Sequence, residues 1–178
     1  MKVIETDFKG LFIVNHKIFE DTRGCFKEVF RKNIFEEELG CQIKFCQENI
    51  VKSKKNVLRG LHYQDVPFSQ SKLVSVQLGE IFDVAVDLRK ESKTYGKYFS
   101  YNLKAENNES IFIPKGFAHG YLSLSELSIV KYKVDNYYNK SSEKGISFDD
   151  KFLKIEWGIP LNEIIISKKD KELTDFIW

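Results

Sequence analysis

The stretch Lys72-Leu73-Val74-Ser75-Val76-Gln77-Leu78, then Gly79-Glu80, then Ile81-Phe82-Asp83-Val84-Ala85-Val86-Asp87-Leu88 has a period of two along most of its length. Val74, Val76 and Leu78 share one face of an extended chain. Beyond Gly79-Glu80, Phe82, Val84, Val86 and Leu88 share a face while Asp83 and Asp87 point the other way. Two such runs joined by a glycine turn predict a hairpin in an antiparallel sheet. Outward from it, further strands are predicted over 11–18, 26–30, 44–50, 97–104, 110–113, 119–124, 128–135 and 163–167. Many short strands with turn signals between them predict a sandwich or barrel. No repeat, low-complexity tract or linker interrupts the 178 residues, so a single domain over 1–178 is expected.

Helix is sparse. One is predicted over 34–39, with Asn33 as its cap, Glu36 at the capping-box spacing and Gly40 at its stop. A second short helix is predicted to begin at Ser167. The class is mainly β, which the 15 Phe and 8 Tyr suit. The 28 basic and 26 acidic residues nearly cancel, so bulk charge predicts neither nucleic-acid nor membrane binding. No apolar run approaches transmembrane length, and Met1-Lys2-Val3-Ile4-Glu5 opens no apolar signal region. Cys25, Cys41 and Cys46 are odd in number and lack metal-type spacing, so a reduced, cytoplasmic protein is expected.

Only Arg23, Arg31, Arg59 and Arg89 break a basic complement that is otherwise Lys. An Arg in such a chain suggests planar, two-pronged recognition of an anion. Arg31 and Arg89 read as surface ion pairs. Arg23 and Arg59 each precede a Gly inside a dense motif and read as candidate anion contacts.

Of the three histidines, His16 has no motif around it and reads as structural or exposed. His119 closes Pro114-Lys115-Gly116-Phe117-Ala118-His119, the Pro-x-Gly-x-x-His pattern of cupin barrels. His62 lies in Leu58-Arg59-Gly60-Leu61-His62-Tyr63-Gln64. Metal-binding cupins carry His-x-His and a nearby carboxylate in the earlier motif. Here Gln64 holds the partner position, so that ligand set is broken and no metal is expected. Two histidines are then free for acid–base chemistry.

The motifs form one collinear series. Phe19-Glu20-Asp21-Thr22-Arg23-Gly24-Cys25-Phe26-Lys27-Glu28 is followed by Gln47-Glu48-Asn49, Leu58 through Gln64, and Gln70-Ser71-Lys72-Leu73-Val74. Asp83 through Arg89, Ile113 through Gly120, Tyr132-Lys133, Tyr138, Glu143-Lys144-Gly145-Ile146 and Ser167-Lys168-Lys169-Asp170 complete it. Over nearly its whole length the chain resembles the dTDP-4-dehydrorhamnose 3,5-epimerase family. The resemblance implies a cupin-type jelly-roll antiparallel β-barrel and a homodimer formed partly by exchange of N-terminal strands. It also implies cofactor-independent inversion at C3 and C5 of a nucleotide-linked 4-keto-6-deoxy sugar, in deoxysugar supply for a surface polysaccharide.

That chemistry needs a base near neutral pH, and imidazole meets the need. The resemblance gives the role to His62, with Asp170 orienting its ring. It gives stabilisation of the enolate oxygen to Lys72 and proton donation on the opposite sugar face to Tyr132. Arg23 and Arg59 match positions that hold the diphosphate or sugar. Phe26, Glu28, Gln47, Asn49, Glu143, His119 and Lys169 match other substrate contacts, and Tyr138 matches an aromatic that stacks on the base. The family carries Arg where Ser75 stands and tends to carry Trp where Phe148 stands. Ser75, opposite in face to Val74 and Val76, is expected to line the pocket.

Taken residue by residue, plainer readings remain. A strand His is usually structural, a strand-opening Lys solvated, a strand Tyr packed in a core, and Glu143-Lys144-Gly145 a simple turn. Ser167-x-x-Asp170 has helix-capping spacing, so Asp170 is equally a cap or a partner of His62. The alternatives to a double epimerase are a C3 or C5 mono-epimerase, a 3,4-ketoisomerase on the same barrel, and a non-catalytic sugar-binding cupin.

Overall fold

The computed structural model describes residues 1–178. Numbered in chain order, strands β1 (Lys2–Glu5), β2 (Phe12–Asn15), β10 (Glu109–Ile113), β7 (Lys72–Leu78), β12 (Leu127–Val134) and β5 (Gln47–Lys54) lie side by side in that order as one sheet. A second sheet runs β13 (Glu143–Gly145), β6 (Leu58–Gln64), β11 (Phe117–Ser123), β8 (Glu80–Asp87) and β9 (Tyr98–Lys104). Strands β3 (Ile18–Asp21) and β4 (Gly24–Lys27) pair only with each other. The strand pairings are antiparallel, giving the mainly β jelly roll expected of the sequence.

Three apolar layers follow from period-two alternation. Between the sheets, Ile13, Val74, Val76, Ile111 and Val130 of the first meet Ile81, Ala85, Leu103, Phe117 and Tyr121 of the second. The outer face of the second sheet (Leu58, Val84, Val86, Leu122) is covered by Leu153, Ile155 and Trp157. The outer face of the first (Val14, Leu73, Phe112) is covered by Phe35 and Ile43. Phe35 belongs to α1 (Lys32–Leu39). β8 is thus covered on both sides, Ile81 and Ala85 packing inward and Val84 and Val86 outward.

The predicted hairpin over 72–88 is corrected. β7 and β8 are strands, but they lie in different sheets and do not pair. Gly79 turns the corner with φ of 77°, and a Cβ there would sit 2.5 Å from the Leu127 carbonyl oxygen. Alternation identified the strands and their faces; it does not encode which sheet each joins. The 11–18 run holds β2 and only the first residue of β3, and 163–167 holds only an isolated bridge between Ile165 and Val57.

Helix α1 begins two residues early, at Lys32, with Arg31 as an N-cap that makes no side-chain bond. Asn33 is inside the helix, and Glu36 accepts from the Ile43 N–H at 2.8 Å, fastening the chain after the helix. Gly40 ends it in the left-handed region as expected. His16 is buried and bonded to Ser110 Oγ at 2.7 Å. Arg31 does make a surface pair, with Glu28. Arg89 instead grips the fully buried Asp87 with two nitrogens at 2.8 Å each. No helix is long and apolar enough to cross a membrane.

Candidate active site

Where the inward positions between the sheets turn polar, they enclose a cavity of about 340 Å³. β5 contributes Gln47 and Asn49, β6 His62, β7 Lys72, β12 Tyr132 and β13 Glu143. Register dictates the grouping. Lys72 is two residues from Val74 and so shares its inward face. Tyr132 lies opposite Val74 on one side and Asn49 on the other. His62 lies opposite His119 and Gly145. A larger groove of about 640 Å³ near α1 contains no histidine.

His62 Nε2 is 2.8 Å from Asp170 Oδ1. Asp170 sits in the short helix α2 (Lys168–Lys171), which begins where predicted. The two readings of Ser167-x-x-Asp170 both apply, to different atoms. Ser167 Oγ accepts from the Asp170 backbone N–H at 3.0 Å, leaving the carboxylate free for His62 and for the Gly60 N–H at 3.4 Å. Burial pushes the Asp170 carboxyl up, but the His62 bond and charge, with help from Gly60 and Ser167, outweigh it and hold the group below its ordinary range. The carboxylate thus stays ionised, the ring donates from Nε2, and Nδ1 is left as the basic nitrogen.

Glycine makes this approach of strands workable. Gly60 has φ of 116°, and a Cβ on it would stand 2.6 Å from Gly120 Cα and 2.7 Å from the His119 carbonyl oxygen. β6 and β11 therefore run closer here than any other residue permits.

Lys72 is brought down to about 8 by burial, partly offset by the Asp83 and Glu143 carboxylates. Tyr132 is raised, chiefly by burial. His119 forms a second pair with Asp83 at 2.8 Å, the two being 8% and 1% exposed. Burial lowers this imidazole despite the Asp83 charge, so it is neutral at neutral pH. Sequence reasoning missed Asp83 as a partner, although a carboxylate inside an apolar strand was the available signal. It also missed Tyr63, Gln64 and Gln70 as wall residues.

At the mouth, Tyr138 Oη donates to Glu143 Oε2 at 2.7 Å, and Lys169 Nζ lies 2.6 Å from the same oxygen. Burial raises Glu143, but the Lys169 and Tyr138 bonds leave it lowered on balance. Arg59 is exposed, donating to Ser53 Oγ at 3.1 Å, and lies near enough to Tyr132 for its charge to act there.

Of the other predicted contacts, Arg59, His119 and Lys169 adjoin the cavity residues without lining the cavity, and three more stand apart from it. Arg23 is tied to Asp21 at 2.6 Å, and Phe26 leans on Phe19 in the isolated β3–β4 hairpin. Glu28 is tied to Arg31. Ser75 does not line the cavity either. Three residues beyond Lys72 it faces the other way, donating to the Lys131 carbonyl at 3.2 Å. No group of three or more His, Cys, Asp or Glu side chains is gathered to hold a metal ion.

A family model described as dTDP-4-dehydrorhamnose 3,5-epimerase matches residues 5–177. A dTDP-4-dehydrorhamnose 3,5-epimerase of Shigella flexneri is 48% identical over 170 residues, 96% of this chain and 93% of that one. A crystal structure of dTDP-4-dehydrorhamnose 3,5-epimerase from Elizabethkingia anophelis NUHP1 superposes with a TM-score of 0.94 at 45% identity, covering 99% of this chain and 96% of the other. A dTDP-6-deoxy-D-glucose-3,5-epimerase from Legionella pneumophila Philadelphia 1, in complex with dTDP-4-keto-L-rhamnose, gives 0.93 at 42% identity over 98% and 92%.

Proposed function

Because the chain belongs to the dTDP-4-dehydrorhamnose 3,5-epimerase family, we propose that it inverts C3 and C5 of a nucleotide-linked 4-keto-6-deoxy sugar, dTDP-4-dehydro-6-deoxyglucose or a close analogue. The observation that carries this is His62, held at 2.8 Å by an ionised Asp170 on the wall of a cavity shared with Lys72 and Tyr132.

His62 Nδ1 removes the proton from the carbon beside the ketone, and the electron pair passes into the C4 oxygen. The Lys72 ammonium supports the resulting enolate. Tyr132 returns a proton to the opposite face, inverting the centre. The imidazolium and tyrosinate then exchange protons with solvent, and the cycle repeats at the second carbon. A positioned general base contributes roughly 10²–10⁴-fold, and burial of the site strengthens the Lys72 contribution. Glu143, Lys169, Gln47, Asn49, Arg59 and His119 hold the substrate, and Tyr138, exposed at the mouth, stacks on the base.

The working unit in this reading is a homodimer of single-domain chains, in a reducing, cytoplasmic compartment that suits three free cysteines. The β3–β4 hairpin supports the dimer. Phe19 and Phe26 are 52% and 65% exposed on a ribbon that joins neither sheet. A second copy would cover them and receive Arg23, Phe26 and Glu28 at its own cavity.

Proton NMR of dTDP-4-dehydro-6-deoxyglucose with the protein in D₂O is the test. Deuterium entering C3 and C5 with formation of the rhamno product supports the proposal. Exchange at one carbon alone makes it a mono-epimerase, and movement of the carbonyl to C3 a ketoisomerase. Binding without exchange leaves a sugar-binding cupin.

A further inference from the structure

Gln64 borders the cavity, yet its amide is committed elsewhere. The residue is 8% exposed. Its Nε2 donates to the Phe68 carbonyl at 2.7 Å and to the Tyr137 carbonyl at 3.3 Å, and its Oε1 accepts from the Asn139 N–H at 2.6 Å. Both amide hydrogens and the oxygen are engaged with backbone. Two of these bonds grip the residues immediately before and after Tyr138.

The loop carrying Tyr138 is otherwise held by polar bonds. Tyr137 and Tyr138 are 65% and 52% exposed, so no apolar side chain at its tip anchors it. Its other ties include Gln70 to the Asn136 carbonyl at 2.7 Å, Asn136 to the Pro67 carbonyl at 3.1 Å, and the Tyr138 N–H to Gln47 at 3.1 Å. The Tyr138 hydroxyl is bonded to Glu143 at 2.7 Å, which holds the tip of the ring while Gln64 holds the backbone on either side. Among these side chains Gln64 is the most deeply buried, on a strand that also bears His62.

We propose that Gln64 is a positioning residue for nucleotide recognition, fixing the backbone on both sides of Tyr138 so that its ring is presented to the base before substrate arrives. The inference rests on the reading of Tyr138 as the stacking residue. A ring held in its bound orientation loses less freedom on binding, so Gln64 acts on affinity and not on proton transfer.

The test is dTDP binding by calorimetry, with KM and kcat, for the wild type, Gln64→Met, Tyr138→Ala and the double variant. Gln64→Met, of similar volume without the amide, is expected to weaken dTDP binding and raise KM about tenfold, with kcat changed less than about threefold. In the Tyr138→Ala background it is expected to add nothing further. Gln64→Glu keeps the acceptor for Asn139 and removes both donors. It is expected to show the same non-additivity, and it decides the matter if the Met variant does not fold. Additive losses, or a fall in kcat at unchanged KM, overturn the proposal. If Tyr138→Ala weakens dTDP binding and neither Gln64 variant does, this inference alone fails. If Tyr138→Ala leaves dTDP affinity intact, the stacking reading fails with it.

Discussion

His62 and Asp170, separated by 108 residues in sequence, meet at 2.8 Å, His62 on a strand and Asp170 on a four-residue helix capped by Ser167. The carboxylate is 6% exposed and the imidazole 30%, so the orienting group is shielded while the base faces the cavity. Replacing Asp170 with Asn keeps the shape and removes the charge that fixes the tautomer and supports the imidazolium. A fall in kcat of roughly 10²-fold or more is expected, with KM little changed. Steady-state kinetics on Asp170→Asn, His62→Ala and the double variant check this. The double variant is expected to be no worse than His62→Ala, since the two act as one unit.

Lys72 gives the reaction an alkaline limit. With its ammonium brought to about 8 by burial, the free enzyme loses the cation as pH rises through that value. The sign follows from the role: the protonated form supports the enolate, so kcat/KM is expected to fall above about pH 8. Lys72→Arg, which stays charged, is expected to lower the plateau yet remove that descending limb. A pH–rate profile of both proteins from pH 6 to 10 checks it. A limb that stays at the same pH in the Arg variant would assign it to another group.

Some of this was legible in sequence and some was not, for physical reasons. Period two revealed the strands and which residues share a face, because alternation is a local property. The roles of Lys72 and Tyr132 came from the resemblance, and register shows that both point inward. The same alternation misassigned β7 and β8 as a hairpin, since Gly79 marks a turn without saying whether it stays within a sheet. Nor does alternation say which face is inward: Ser75, expected in the pocket, lies on the face turned away from it. Asp170 fits two readings because capping and pairing call for the same residue type; in the fold its backbone N–H and its carboxylate serve different partners. Gln64 was read through what it replaces in other cupins; its three bonds to two loops have no sequence signature.

His16 sets an acid limit on stability. It is 8% exposed, its Nδ1 lacks a partner, and burial with the Lys27 and amino-terminal charges lowers it from 6.5 to about 4. Between those values the unfolded chain takes up a proton that the folded chain refuses, so stability falls as pH drops from 6.5 towards 4. The loss amounts to about 2 kcal/mol once solvent screening is allowed for. Urea unfolding at pH 7.0 and 4.5 is expected to show a smaller pH-dependent loss for His16→Gln than for the wild type. An equal loss in both would trace the acid sensitivity to other groups.

The β3–β4 hairpin makes a prediction about whose site it serves. Arg23 is 88% exposed at its side chain and bonded only to Asp21 two residues away, far from being buried at the cavity of its own chain. If the hairpin reaches a second copy, an Arg23→Ala chain keeps His62 in its own cavity but withholds the guanidinium from its partner. A His62→Ala chain does the reverse. Each variant alone is expected to be strongly impaired. Unfolded together and refolded as a mixture, about half the dimers would pair one of each, and one of the two cavities in such a dimer would have both residues. Recovery of about a quarter of wild-type activity is therefore expected. Were Arg23 to act on the cavity of its own chain, no combination would unite the two residues, and the refolded mixture would stay as inactive as its components.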